Sequence, residues 1–115
     1  MDKRAAIATV DRFRASLEKR GIGVEKLVLY GSFARGKARE GSDIDVVVVS
    51  DDFADMGYWE RIDVLSDAIY DVFAPVEAVA MTRQEWERGD SFVYDYAKDG
   101  DVVYQAADRV AEPEG

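Results

Sequence analysis

Apolar residues recur at Ile7, Val10, Phe13 and Leu17, which predicts an amphipathic helix over residues 3–20. Gly21 and Gly23 end it and open a turn. The Val-, Leu- and Tyr-rich run Val24–Tyr30 then predicts a first strand. Ile44–Val49 is an almost unbroken β-branched run, as in a strand buried on both faces near the middle of a sheet. Asp51, Asp52 and Gly57 bound a loop, after which Tyr58, Ile62, Leu65, Ile69 and Val72 restore helical spacing. Pro75 closes that second helix, and Val76–Met81 reads as a third strand. Thr82, Arg83, Gln84 and Glu85 form a capping box that opens a short helix through Arg88. Asp90 or Ser91 can cap a further helix carrying Phe92, Val93 and Tyr96, which Gly100 ends before a last strand, Asp101–Gln105. The polar stretch Arg109–Gly115, with Pro113, predicts a frayed tail. Helices alternating with few strands give one domain, residues 1–115, of the α/β (α+β) class.

Composition narrows what such a domain can do. Its 115 residues are 48% hydrophobic and 34% charged, ordinary for a globular protein with a single core. No apolar run approaches the roughly 20 residues that span a bilayer, and no signal peptide or membrane association is expected. The chain has no cysteine, which fits the cytoplasm. It has no histidine either, which removes Ser-His-Asp and Cys-His catalysis and the usual zinc ligands. A bound metal is then expected to be oxygen-ligated, Mg²⁺ or Mn²⁺. A net charge of −9 argues against an extended nucleic-acid surface, although Arg35, Lys37 and Arg39 gather in one loop.

The chemistry-bearing stretch is LVLYGSFARGKAREGSDIDVVVVS, residues 27–50. Asp43 and Asp45 are two apart at the start of a strand, so both project from one face with Cα atoms roughly 6–7 Å apart. Carboxylates so placed can converge on one hard cation or on a pair. Upstream, Gly31-Ser32 ends a strand and offers backbone N–H groups and a hydroxyl, which suit phosphate. The combination points to phosphoryl or nucleotidyl transfer. Gly31, Gly36 and Lys37 nearly spell a P-loop, but Ala38 stands where that motif needs a hydroxyl, and a charged loop replaces its helix.

Gly-Ser, ten residues and then Asp-x-Asp fits Gly31-Ser32 and Asp43-Ile44-Asp45 without a gap. This resembles the signature of the DNA-polymerase-β-like nucleotidyltransferase superfamily, and GSFARGKAREGSDIDVVVV is most similar to its minimal nucleotidyltransferase (MNT) branch. The resemblance covers about residues 5–105, including a leading helix, the helix after the Asp strand and the late DGDVVYQ segment. It implies a polymerase-β-like palm, a small mixed sheet with helices packed largely on one side. It also implies Mg²⁺-dependent transfer of AMP from ATP to a hydroxyl, with two ions held by Asp43 and Asp45. Gly31 would let the backbone approach the triphosphate, and Ser32, opening a short helix Phe33–Arg35, would donate to the β- or γ-phosphate.

The family supplies a third carboxylate, usually Asp, from a later strand; the matching position here is Glu77, one methylene longer. Glu77 is either a metal ligand that helps deprotonate the acceptor or a solvent-facing residue on an edge strand. Arg35 matches the family's Gly-Ser-x-x-Arg-Gly pattern as a triphosphate contact, its alternative being a structural ion pair. Ser42 either orients the approach to the strand or serves as a turn residue. Tyr58, Trp59, Trp86, Phe92, Tyr94 and Tyr96 are expected in the core more than as a base-stacking platform. The resemblance implies as partner a helical HEPN-type toxin, with this chain an antitoxin that adenylylates a toxin tyrosine. Two other readings stand beside it: a non-catalytic antitoxin acting by occlusion, and a small-molecule nucleotidyltransferase completed by a separate subunit.

Overall fold

The computed structural model describes residues 1–106; the expected frayed tail, Arg109–Gly115, lies outside them. Four strands form one mixed sheet in the order β3-β2-β1-β4, with β1 Lys26–Tyr30, β2 Ile44–Val49, β3 Val76–Met81 and β4 Asp101–Gln105. β1 runs antiparallel to both β2 and β4, while β2 and β3 are parallel. A parallel pair needs a crossover, and helix α3, Tyr58–Val72, supplies it.

α3 and the N-terminal helix α1, Lys3–Lys19, lie side by side on one face. Their apolar stripes, Val10, Phe13 and Leu17 from α1 and Leu65, Ala68 and Val72 from α3, close over Leu27, Leu29, Ile44, Val46 and Val48. Each large side chain fully buried there is worth about 1.5–3 kcal/mol relative to exposure. Polar ties hold the two helices in place: the Ser16 hydroxyl and Arg20 guanidinium both donate to Asp71, at 2.6 and 2.7 Å. The opposite face carries a smaller cluster, Val28, Val47, Val49 and Met81, covered by Ala97 of α5, Phe92–Ala97, and flanked by Trp86 of α4, Arg83–Arg88. The two long helices thus occupy one face as expected, and only short ones reach the other.

The observed boundaries depart from expectation at three places. β1 starts at Lys26 rather than Val24, where its pairing with β2 begins. The short helix α2 is Gly31–Ala34, beginning directly at the strand end instead of at Phe33. The Asp51–Gly57 loop contains a 3-10 turn, Asp51–Asp55, that buries Phe53 and is capped by the Ser50 hydroxyl, which accepts from the Asp52 N–H. The Thr82 capping box is present, and of the two candidate caps for α5 it is Ser91 that accepts from the Tyr94 N–H.

Candidate active site

Alternation along the strands sorts chemistry from core. In β2 the even positions Ile44, Val46 and Val48 face α1 and α3, while Val47 and Val49 belong to the second face. Asp45 shares that second face, and Asp43, just before the strand, has the same parity. The register then places Tyr30 of β1 and Glu77 of β3 directly across from Asp45, one on each side. The fold therefore brings Asp43, Asp45 and Glu77 to one open end of the sheet's second face. Tyr30 joins them, a neighbour not read from the sequence because a long loop hides the β1–β2 register.

Among the described residues the three carboxylates are uncompensated. The ion pairs among the described residues involve Lys3, Arg14, Arg20, Arg61, Arg83 and Arg88, and none reaches these acids. The negative charge of Asp43 holds the Glu77 carboxyl above its usual range, helped by a hydrogen bond that protonated Glu77 can donate to Asp43, by slight desolvation and by Asp45. Asp45, half-buried, is pushed up first by burial and then by Asp43. Burial and the charges of Asp45 and Glu77 likewise raise the Tyr30 phenol. Each shift records a cost of anionic charge here, which a divalent cation would offset.

As they stand, the acids do not enclose a common point: among the described residues no three acidic side chains gather into a metal cluster. The donor set is nonetheless all-oxygen, without cationic competitors, and suits a hard divalent ion. Asp43 and Glu77 are solvent-exposed at this end, free to take new rotamers. The edge-strand alternative for Glu77 is correct in geometry too, since β3 is an outer strand.

Gly31 sits beside Asp45 at φ 75°, and a Cβ there would fall on the Asp45 carboxylate. Both facts demand glycine. The turn it makes starts α2, with the half-buried Ser32 directly following the glycine that abuts Asp45. The Ser32 hydroxyl has no partner among the described residues, whereas Ser42 is committed: its hydroxyl accepts from the Arg39 N–H at 2.8 Å. Ser42 is a turn residue. Arg35, Lys37 and Arg39 are exposed, and no ion pair engages them among the described residues. The structural ion pair considered for Arg35 is not formed with any acid among the described residues.

The aromatic expectation needs correction. Trp86 and Tyr94 pack edge to face, 4.8 Å between centroids, and are half-buried. Tyr58, Trp59, Phe92 and Tyr96 are instead largely exposed. Tyr58 and Trp59 open α3 a full turn and more ahead of its first buried residue, Leu65, and α5 buries only Ala97, which leaves these rings facing solvent.

No helix among the described residues is long and apolar enough to cross a membrane. A search of curated proteins returns no match. Among solved structures, the chain is similar to a protein of Sulfolobus solfataricus assigned to the nucleotidyltransferases, at 19% identity and TM-score 0.68, covering 90% of this chain and 83% of that one. It is also similar to a toxin–antitoxin structure with AMP-PNP, at 20% identity and TM-score 0.55 over 82% of this chain and 72% of that one. A third likeness, at 17% identity and TM-score 0.51, is to a tri-AMPylated Shewanella oneidensis HEPN toxin in complex with MNT antitoxin, over 90% of this chain and 73% of that one. At these identities the likenesses establish a common fold. The sequence model of the nucleotidyltransferase domain matches residues 10–99, spanning both the Gly31-Ser32 turn and all three acids, and the chain belongs to that family.

Proposed function

We propose that this nucleotidyltransferase moves AMP from ATP to a hydroxyl on a protein partner, a tyrosine of a HEPN-type toxin, and so acts as its antitoxin. The observation that carries the reading is the set of three carboxylates at the ends of two neighbouring strands, uncompensated among the described residues, beside the Gly31-Ser32 turn. The acceptor oxygen attacks the α-phosphorus, its bond to the oxygen bridging to the β-phosphate breaks, and pyrophosphate leaves. The hydroxyl proton passes to Glu77, the carboxylate that faces the outer side of the site on β3. Ser32 donates to the β- or γ-phosphate, and Arg35 is free to reach the triphosphate. Asp43, Asp45 and Glu77 would hold Mg²⁺, or Mn²⁺, which when bound neutralises the charge developing on the phosphate oxygens. The toxin partner is supported by the fold shared with the two toxin–antitoxin structures.

Occlusion without catalysis is the second reading, favoured by Glu77 standing where the family usually has the shorter Asp. Incubating the protein with α-labelled ATP, Mg²⁺ and a HEPN-type partner separates the two. The expected result is label on the partner's tyrosine, abolished by Asp43→Asn with Asp45→Asn. A partner silenced but never labelled establishes occlusion. Label on a small molecule alone establishes the third reading, an enzyme completed by another subunit.

A further inference from the structure

Tyr30, Asp45 and Glu77 stand in line across β1, β2 and β3, and the line ends at an open edge. The Pro75 and Met81 carbonyls accept from Ile44 and Ser50, so the odd residues of β3 turn their backbone groups toward β2. Alternation turns those of Val76, Ala78 and Ala80 outward. The Val76 N–H is taken by the Ala74 carbonyl at 2.8 Å. The Val76 carbonyl and both backbone groups of Ala78 and Ala80 have no partner among the described residues. Natural edges are usually blunted by lysine, bulges or cover; β3 is regular over six residues and carries one charge, Glu77. The other outer strand, β4, pairs through a bulge.

We propose that β3 is a docking edge for an extended segment of the protein acceptor, which adds as a fifth strand and lays its hydroxyl-bearing residue opposite Glu77. The proposal rests on the protein-acceptor reading above. Its geometry follows from the register. In an antiparallel addition, residues opposite Ala78 and Ala80 exchange the hydrogen bonds, so the residue opposite Glu77 is at a non-hydrogen-bonded position, with Cα atoms about 4.5 Å apart. Side chains at such a pair are close and share a face, and this face is the one holding Asp45. The next position on the carboxylate line is then the acceptor's own.

Charge and apolar contacts select the occupant. The edge adjoins three unpaired acids on a chain of net charge −9, which favours a basic segment. A second copy carries the same net charge of −9 and is disfavoured by like-charge repulsion. Tyr70 and Phe73, 72% and 83% exposed with rings 5.5 Å apart, close the end of α3 from which the chain enters β3, and so add an exposed apolar pair near the start of the edge.

A nine-residue peptide alternating valine with lysine around a central tyrosine is the probe, since tyrosine and lysines then share one face. Expected with MgATP are slowed hydrogen exchange at the Ala78 and Ala80 amides and labelling of the tyrosine. A peptide with proline beside the tyrosine should do neither. Ala78→Pro and Ala80→Pro each remove an outward N–H, tolerated at an edge, and should cut labelling at least tenfold with ATP affinity unchanged; the exchange measurement on the unaltered chain decides if they fail to fold. Labelling without protection at Ala78 and Ala80 overturns strand addition and leaves the transferase reading intact. Protection without labelling of any acceptor upholds the edge and overturns the transferase. Protection that grows with protein concentration in the absence of peptide assigns the edge to a second copy and overturns the proposal.

Discussion

On one face of the sheet, Leu27, Leu29, Ile44, Val46 and Val48 lie under two long helices and are sealed from water. On the other, Val28, Val47 and Val49 are covered by α5, and the far end, with Tyr30, Asp45 and Glu77, is left open. Both faces draw on the same strands. β2 alone supplies core at its even positions and a candidate metal ligand at an odd one, separated only by the pleat. Stability and chemistry can therefore change independently at adjacent residues. The sealed face stabilises the fold enough to tolerate an open end where like charges repel.

The sharpest way to break this contrast is Asp43→Asn with Asp45→Asn. AMP transfer should fall about 10³-fold or more, since several kcal/mol of charge stabilisation is lost, while the melting temperature holds or rises. A cooperative loss of fold would show that these acids are structural. On the sealed face, Phe13→Ala should cost about 3–5 kcal/mol in urea unfolding and leave the ATP affinity of the folded fraction unchanged. Returning to the open end, Glu77→Gln keeps the shape and withdraws the base. Transfer should drop about 10²–10³-fold with ATP binding spared by calorimetry, and wild-type transfer would make Glu77 a bystander. Ser32→Ala should weaken ATP binding by about 1.5–3 kcal/mol; a fall in melting temperature with unchanged affinity would move Ser32 to the structural side.

The smallest effect sharpens the contrast between the two kinds of acid. Arg61, paired at 2.8 Å, holds the Glu85 carboxyl below its usual range, the opposite of Asp45 and Glu77. A depressed acid stabilises the fold above its unfolded value and loses that contribution as pH falls through its folded one. Wild type should thus outlast Glu85→Gln in thermal melts near neutrality, by about 0.2–1 kcal/mol for a partly exposed pair. The gap should narrow below pH about 4.5.

Most of this architecture was legible because the periodicities were clean. Ile7, Val10, Phe13 and Leu17 sit at helical spacing, and Ile44–Val49 is too β-branched to be anything but a central strand. The acids were legible as a pair for the same reason: parity alone puts Asp43 and Asp45 on one face. The place of Tyr30 was not, because register across a long loop is set by tertiary packing rather than by local spacing. Ser42 needed the observed Arg39 turn to choose between its roles. Exposure of Tyr58, Trp59, Phe92 and Tyr96 was hidden too, since an aromatic residue reads as core until the part of its helix that reaches the sheet is known.

The parallel pairing of β2 with β3 has a consequence for the order in which the molecule comes together. Asp43 and Asp45 take their places as soon as β1 and β2 form their antiparallel pair, a comparatively local event. Glu77 reaches Asp45 only after the intervening α3 has formed and the chain has crossed back over the sheet. Such non-local closures are among the slowest steps in folding. A nascent or partly refolded chain therefore holds two of its three acids long before the third arrives. Its acidic triad is a late product of folding, assembled only when the sheet itself is whole.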